Sequence, residues 1–218
     1  MASGATLYLD IWSDYVCPFC YLELPVLHQF RDAYGDAVEL RWHAFELRPE
    51  PVALPEPDDE SLVESWERNI YPMSAERGLT IRMPAVRPRS RKALEAARFA
   101  LEAGAFDAMH MTLFKAFFED GLDIGDVDIL IDIGSTVGLD PEALDEALRE
   151  DRFASAVQED EDFAKQLGIS SVPFIVLSRD PAVGEETPPP PIALRGAAPI
   201  AHFEAAVQRL FPDGFPEL

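Results

Sequence analysis

The chain opens on alternating and then helical periodicity. Residues 6 to 13 hold the apolar run Leu7-Tyr8-Leu9-Asp10-Ile11-Trp12, which predicts a buried first strand. From Tyr21 to Tyr34 the period changes. Leu24, Leu27, His28 and Phe30 recur at helical spacing, and Gly35 supplies the stop. Pro25 lies inside this run and is expected to kink the helix. Val38 to Glu46 alternates again, with Val38, Leu40, Trp42 and Ala44 on one side, and Leu47-Arg48-Pro49 ends this second strand. Trp12 and Trp42 read as core. His43 reads as a hydrogen-bonded strand histidine rather than a catalytic base.

After residue 49 the pattern changes. Residues 49 to 59 form a proline-rich, acidic connector. Helical periods follow over about 60–77, 90–103, 106–119, 126–137, 141–149 and 151–167. Ser90 and Asp126 are placed as N-caps, Gly104 and Gly121 as stops, and Gly138-Leu139-Asp140-Pro141 closes one helix and opens the next. The aromatic run through Phe106, Phe114, Phe117 and Phe118 reads as core, with His110 at its edge. Strand character returns over Gly168 to Leu177. A stiff polar excursion with consecutive prolines spans residues 178 to 191. Ile192–Arg195 is a short strand, and a helix runs from Pro199 to Leu210. The order is β-α-β, a block of helices, then β-β-α. It predicts an α/β protein in which residues 1–47 and 168–218 share a four-stranded mixed sheet flanked by helices. Residues 48–167 form an inserted helical domain.

Composition adds environment rather than chemistry. An apolar fraction of 48% over 218 residues supports an ordinary globular core. The 40 acidic and 18 basic residues leave a net charge of −22, which argues against nucleic acid or an anionic membrane as partner. A solvated acidic surface, as in halophiles, is the favoured reading over attraction of basic partners. Arg82, Arg87, Arg89 and Arg91 stand out in so acidic a chain. They are expected to act mainly as counter-charges, the alternative being an anionic group such as a glutathione carboxylate. Met1-Ala2-Ser3-Gly4 carries no positive charge and runs straight into a strand, and no apolar run reaches membrane-span length. The expected compartment is the cytoplasm.

The candidate chemistry is Cys17-Pro18-Phe19-Cys20, which holds the only cysteines and sits between the first strand and the first helix. At a helix N-terminus, unpaired N–H groups and the helix dipole favour a thiolate, the nucleophile of disulfide exchange. Pro18 suits the first helical turn, and Cys20, one turn on, can resolve a mixed disulfide formed at Cys17. Inert core cysteines, half of a zinc site and a structural disulfide compete with this reading. His28, His43, His110 and His202 show no ligand spacing, so no metal is expected, and a loop this short gains little from closure. A CxxC beside an α/β pattern favours the redox pair.

Asp10, Trp12-Ser13-Asp14, Cys17-Pro18-Phe19-Cys20, Phe45-Glu46-Leu47, Phe106-Asp107-Ala108, Phe118-Glu119-Asp120-Gly121, Gly138-Leu139-Asp140 and Val172-Pro173, in this order, resemble the DsbA-like thioredoxin family. Within it they resemble most the cytoplasmic FrnE-type branch of dithiol–disulfide isomerases. That resemblance implies a thioredoxin fold with a helical insertion, Cys17 as attacking thiol and Cys20 as resolving thiol. It also implies that Val172-Pro173 is a cis-proline loop against the cysteines, whose backbone, with Pro18 and Phe19, would contact substrate by strand addition. Phe19 stands where the periplasmic oxidant has histidine, and Ser171 replaces a glycine often found before Val-Pro. Asp14 is a candidate proton relay, with capping of the following helix its favoured role. No cofactor is expected beyond the cysteine pair, glutathione being a candidate reductant or substrate. The expected partners are thiol- or disulfide-bearing proteins or small thiols, with a homodimer left open. Related glutathione transferases and 2-hydroxychromene-2-carboxylate isomerases share the implied fold but typically carry serine in place of Cys17, so a glutathione-dependent transferase or isomerase is the alternative. A non-catalytic, chaperone-like module is the second alternative.

Overall fold

The computed structural model describes residues 6–56, 59–181 and 185–215. Four strands, β1 (Leu7–Ser13), β2 (Val38–Ala44), β3 (Phe174–Arg179) and β4 (Ile192–Arg195), form one sheet in the order β2-β1-β3-β4. β1 pairs parallel with β2, and β3 runs antiparallel to both of its neighbours, β1 and β4. A parallel pair needs a crossover, and α1 (Pro18–Tyr34) supplies it. β1 is one of the two inner strands, with Ile11 opposite Trp42 on one side and Ile175 on the other. Leu7, Leu9 and Ile11 are buried, as are Leu24, Leu27 and Phe30 of α1. Phe30 meets Phe203 of α9 (Ile200–Leu210) with ring centroids 5.5 Å apart. Trp12 stacks on His43 at 4.5 Å and meets Phe163 of α8 (Ala154–Gln166) at 5.4 Å, which places α8 beside the β1–β2 end of the sheet.

Between β2 and β3 the chain builds the helical insertion. It comprises α2 (Glu60–Ser65), a π-helical turn (Trp66–Ile70), α3 (Tyr71–Glu76), α4 (Arg91–Glu102), α5 (Phe106–Phe118), α6 (Val127–Thr136) and α7 (Pro141–Arg149), then α8. The expected helix over 60–77 is thus interrupted. Tyr71 N–H bonds the Trp66 carbonyl, five residues back, and Pro72 has no N–H with which to continue the ordinary ladder. Gly104 and Gly121 end α4 and the turn after α5 at φ of +72° and +73°, the left-handed conformation that glycine adopts without a steric penalty. Asp126 and Asp140 cap α6 and α7 through their side chains.

Several expectations need correction. The third strand begins at Phe174 rather than Gly168, because Gly168 has φ +71° and Pro173 has no N–H for a ladder. α8 starts at Ala154 rather than 151, since Asp151 holds φ +54° in the preceding turn. Ser90 sits at the N-cap position of α4 but makes no capping bond there. His110 is not at the edge of the aromatic cluster but inside it, 6% exposed. Its Nδ1 pairs with the Tyr15 hydroxyl at 2.8 Å, and burial pushes its pKa down to about 3. Trp12 is core, as expected, while Trp42 is only half-buried, against His110 at 4.2 Å. His43 is hydrogen-bonded, to Asp10 and Asp160, each at 3.0 Å. The reading of residues 1–4 lies outside the described residues, as do positions 57–58 of the connector, 182–184 of the proline-rich loop and 216–218 of the tail.

A second tie joins the insertion to the sheet layer. The Glu23 carboxylate of α1 is 2.8 Å from Arg77, which follows α3, and accepts from Ala198 N–H at 2.9 Å. Arg77 also donates to the carbonyls of Leu22 and Ala198 at 2.6 and 3.0 Å. One buried ion pair therefore fixes α1, the insertion and the approach to α9.

Candidate active site at the start of the first helix

Cys17 is the N-cap of α1, with extended backbone (φ −93°, ψ 113°), and Pro18 follows in the first turn. The Cys17 carbonyl accepts from Cys20 N–H at 3.1 Å and Tyr21 N–H at 3.4 Å, so the helix begins on this residue. No side chain caps the end. Pro18 has no N–H and the Cys20 N–H is taken, so what the helix end offers Cys17 is the positive end of a 17-residue dipole and the Phe19 N–H. Both cysteines are free thiols and buried, Cys17 4% exposed and Cys20 2%. Cys17 Sγ donates to the Val172 carbonyl at 3.5 Å, and the Val172–Pro173 peptide is cis. The Pro173 carbonyl accepts from Gly196 N–H at 2.9 Å, which anchors this loop to the end of β4.

The Cys20 thiol lies among the Cys17 sulfur, the Ser13 hydroxyl and the Asp14 backbone N–H. Burial first, then its hydrogen bond to Cys17, raise its pKa well above the ordinary thiol value. The pair is therefore asymmetric: one sulfur at the helix end, the other behind it and holding its proton.

Asp14 does not cap α1. Its carboxylate accepts from Leu47 N–H at 2.7 Å and from Val16 N–H at 3.3 Å, tying the turn before Cys17 to the segment after β2. It is completely buried, and desolvation raises its pKa to about 6 against the pull of those hydrogen bonds, of the Ser90 hydroxyl and of Arg48. The Asp160 and Glu161 carboxylates of α8 hold the end of β2 nearby, accepting from Ala44 N–H at 2.7 Å and Glu46 N–H at 3.3 Å.

Phe19 is half-buried and joins Cys17 and Pro18 on one wall of a cavity of about 340 Å³ between the cysteines and the insertion. Of the four arginines singled out in the sequence, Arg91 does act as a counter-charge, to Glu46 at 2.9 Å and Glu161 at 3.1 Å. Arg89 lies 3.5 Å from Glu50. Arg82 and Arg87 make no ion pair among the described residues. The structure thus brings Asp14, Cys17, Pro18, Phe19, Cys20, Val172 and Pro173 into one neighbourhood. Sequence reasoning missed Ser13 beside Cys20, and Arg48 and Ser90 on the cavity wall. Only Arg48 carried a signal, as a cation directly after the second strand of an acidic chain.

A parallel β-α-β unit extended by an antiparallel pair, with a cysteine pair at the start of the first helix facing an X-Pro loop, defines the thioredoxin class of fold. The sequence matches the DSBA-like thioredoxin domain family over residues 8–208, and the chain belongs to that family. It is 37% identical over 147 residues to the uncharacterized protein YwbO of Bacillus subtilis, spanning 66% of this chain and 72% of that one. Its fold is similar to that of the probable DsbA oxidoreductase SCO1869 of Streptomyces coelicolor, with a TM-score of 0.76 and 25% identity over 97% of this chain and 93% of that one. It is also similar to 2-hydroxychromene-2-carboxylate isomerase, at a TM-score of 0.74 and 18% identity over 94% and 97% of the two chains. Among the described residues, no helix is long and apolar enough to cross a membrane.

Proposed function

We propose that the protein is a thiol–disulfide oxidoreductase or isomerase whose redox centre is Cys17-Pro18-Phe19-Cys20. The observation that carries this reading is the asymmetry of the pair. Cys17 stands at the positive end of the α1 dipole, and Cys20 lies directly behind it against the same sulfur. In reduction, the Cys17 thiolate attacks one sulfur of a substrate disulfide and expels the other as a thiolate. Cys20 then gives up its proton and attacks Cys17 Sγ, which releases the second substrate thiol and closes the Cys17–Cys20 disulfide. Oxidation of substrate dithiols is the same sequence reversed. In isomerisation, Cys17 leaves to a different substrate thiol and Cys20 serves as the escape. Val172 and Pro173 beside Cys17 offer backbone to the substrate arm, and Asp14, whose backbone N–H meets the Cys20 thiol, is a buried carboxyl that takes part in proton transfer. No cofactor is invoked beyond the cysteines. Glutathione is proposed as a reductant or substrate, and the FrnE-type branch and a cytoplasmic setting are part of the same reading.

The test is substitution of each cysteine. Cys17→Ser abolishes turnover of a model disulfide, while Cys20→Ser accumulates a mixed disulfide at Cys17 that intact mass detects. Full turnover by the Cys17→Ser protein would remove the proposal. The fold likeness to 2-hydroxychromene-2-carboxylate isomerase motivates a second reading, a glutathione-dependent transferase or isomerase. Calorimetric titration with reduced glutathione separates the two, since tight non-covalent binding favours the second.

A further inference from the structure

The cavity beside Cys17 has a composition unlike the rest of the chain. The protein carries 40 acidic and 18 basic residues, yet the described residues lining this cavity include Arg48, Arg87 and Arg89 and no aspartate or glutamate. The remaining wall is largely apolar, with Phe19, Trp66, Met83 and Phe117 facing the space. Arg89 is committed to structure, donating to the carbonyls of Arg48 and Val52 and lying near Glu50. Neither Arg48 nor Arg87 has a carboxylate within ion-pair distance among the described residues. Arg87 donates through Nη1 to the carbonyls of Pro84 and Val86, while its Nε is buried without a partner. A half-buried guanidinium without a counter-ion carries a desolvation cost that an anion in the cavity would offset.

We propose that this cavity binds a small organic disulfide or thiol with an apolar body and an anionic group, the body against Phe19 and Trp66 and the anion on Arg48 and Arg87. The inference rests on the oxidoreductase reading of Cys17 and narrows its substrate class. A volume of about 340 Å³ suits a small ligand. An unpaired guanidinium is the natural receptor for a carboxylate or sulfonate, by charge-assisted hydrogen bonds. The chemistry balances without a further reagent. The bound disulfide R–S–S–R takes two electrons from the dithiol and the two thiol protons. It leaves as two R–SH, and the Cys17–Cys20 disulfide forms.

The experiment is a single-turnover reaction of the reduced protein followed by stopped-flow absorbance. The anionic probe is dithiobis(nitrobenzoate) and the neutral one dithiodipyridine, both aromatic and both releasing a coloured thiol. Arg48→Gln and Arg87→Gln each slow the anionic probe about tenfold and leave the neutral probe within about twofold, while Arg87→Lys keeps most of the rate. Leu62→Trp, which fills the cavity from its half-buried wall, slows both probes. Equal slowing of both probes by the arginine variants would overturn the proposal, because the arginines would then act on Cys17 and not on the ligand. An unaltered rate in Leu62→Trp would overturn it as well, by placing the reaction outside the cavity. If the wild-type protein reduces neither probe and forms no Cys17–Cys20 disulfide, it is the oxidoreductase reading that fails.

Discussion

Cys17 Sγ lies 3.5 Å from the carbonyl oxygen of Val172, although 155 positions of chain separate the two residues. The contact exists because β1 and β3 are antiparallel neighbours, with Trp12 opposite Phe174. The end of one strand and the start of the other therefore meet at the N-terminus of α1. Every element of the proposed chemistry depends on that meeting, and the helical insertion closes over it from the side.

The buried sulfur should titrate late. Burial is the leading cause of the raised Cys20 pKa and survives the loss of its neighbour. In Cys17→Ser protein, alkylation of Cys20 by iodoacetamide is expected to be slow at pH 7 and still rising with pH beyond the ordinary thiol value of 9.0. A rate that levels off below that pH would contradict this placement of the thiol.

Asp14 should make stability fall as pH rises. Its folded pKa is about 6 against an ordinary 3.8, so between these values the folded state holds the proton more tightly. The stabilisation is complete below the lower value and gone above the upper one, a change on the order of 3 kcal/mol. His110 works in the opposite sense: its pKa is lowered from 6.5 to about 3, so its contribution is lost as pH falls through that window. The two partly cancel in the wild type. Urea unfolding of Asp14→Asn beside wild type should show their difference changing across pH 4 to 6, in favour of wild type at the acid end. A pH-independent difference would refute the assignment.

The Glu23–Arg77 pair should be worth most when half of it is removed. Arg77→Met leaves a carboxyl whose side chain is 1% exposed without its cation, at an expected cost of about 3 kcal/mol or more. Glu23 already has a pKa raised to about 7 by burial, so protonation relieves the variant and it recovers at pH 5 relative to pH 8. Adding Glu23→Gln should recover part of the loss. Denaturant midpoints of the single and double variants measure both effects, and equal costs at the two pH values would argue against a buried charge.

Gly134 of α6 lies against Leu144 of α7. A Cβ there would stand 2.5 Å from Leu144 Cδ2, and Leu144 is fully buried. Gly134→Ala is expected to destabilise by about 1–3 kcal/mol despite alanine's better helix propensity. A thermal scan showing a stabilised variant would mean that the two helices separate at no cost.

What the sequence made legible was local. The cysteine pair, Pro18 in the first turn, the caps Asp126 and Asp140 and strand Ile192–Arg195 all rest on neighbours within a few residues, and each stands where its pattern put it. What it hid was long-range. Asp14 looked like a helix cap because it precedes one, but its partner, Leu47 N–H, is 33 positions away and appears only when β2 is laid beside β1. His110 packs against Phe106 and Phe114 of its own helix, but the other side of its burial comes from Tyr15 and Trp42, 95 and 68 positions away. Arg87 and Arg91 look alike in sequence, yet Arg91 finds two carboxylates and Arg87 none, a difference set by where α8 and the segment after β2 lie.

The central claim, that Cys17 and Cys20 form a reversible redox couple, is tested most directly by equilibrating the protein in graded glutathione buffers. Quenching with an alkylating agent and measuring intact mass then reports the state of both sulfurs. The account predicts one transition between a doubly alkylated dithiol and an unalkylated disulfide, the latter lighter than the free dithiol by two hydrogen atoms. A persistent glutathione adduct on Cys17, left in place by Cys20 across the whole range, would contradict it.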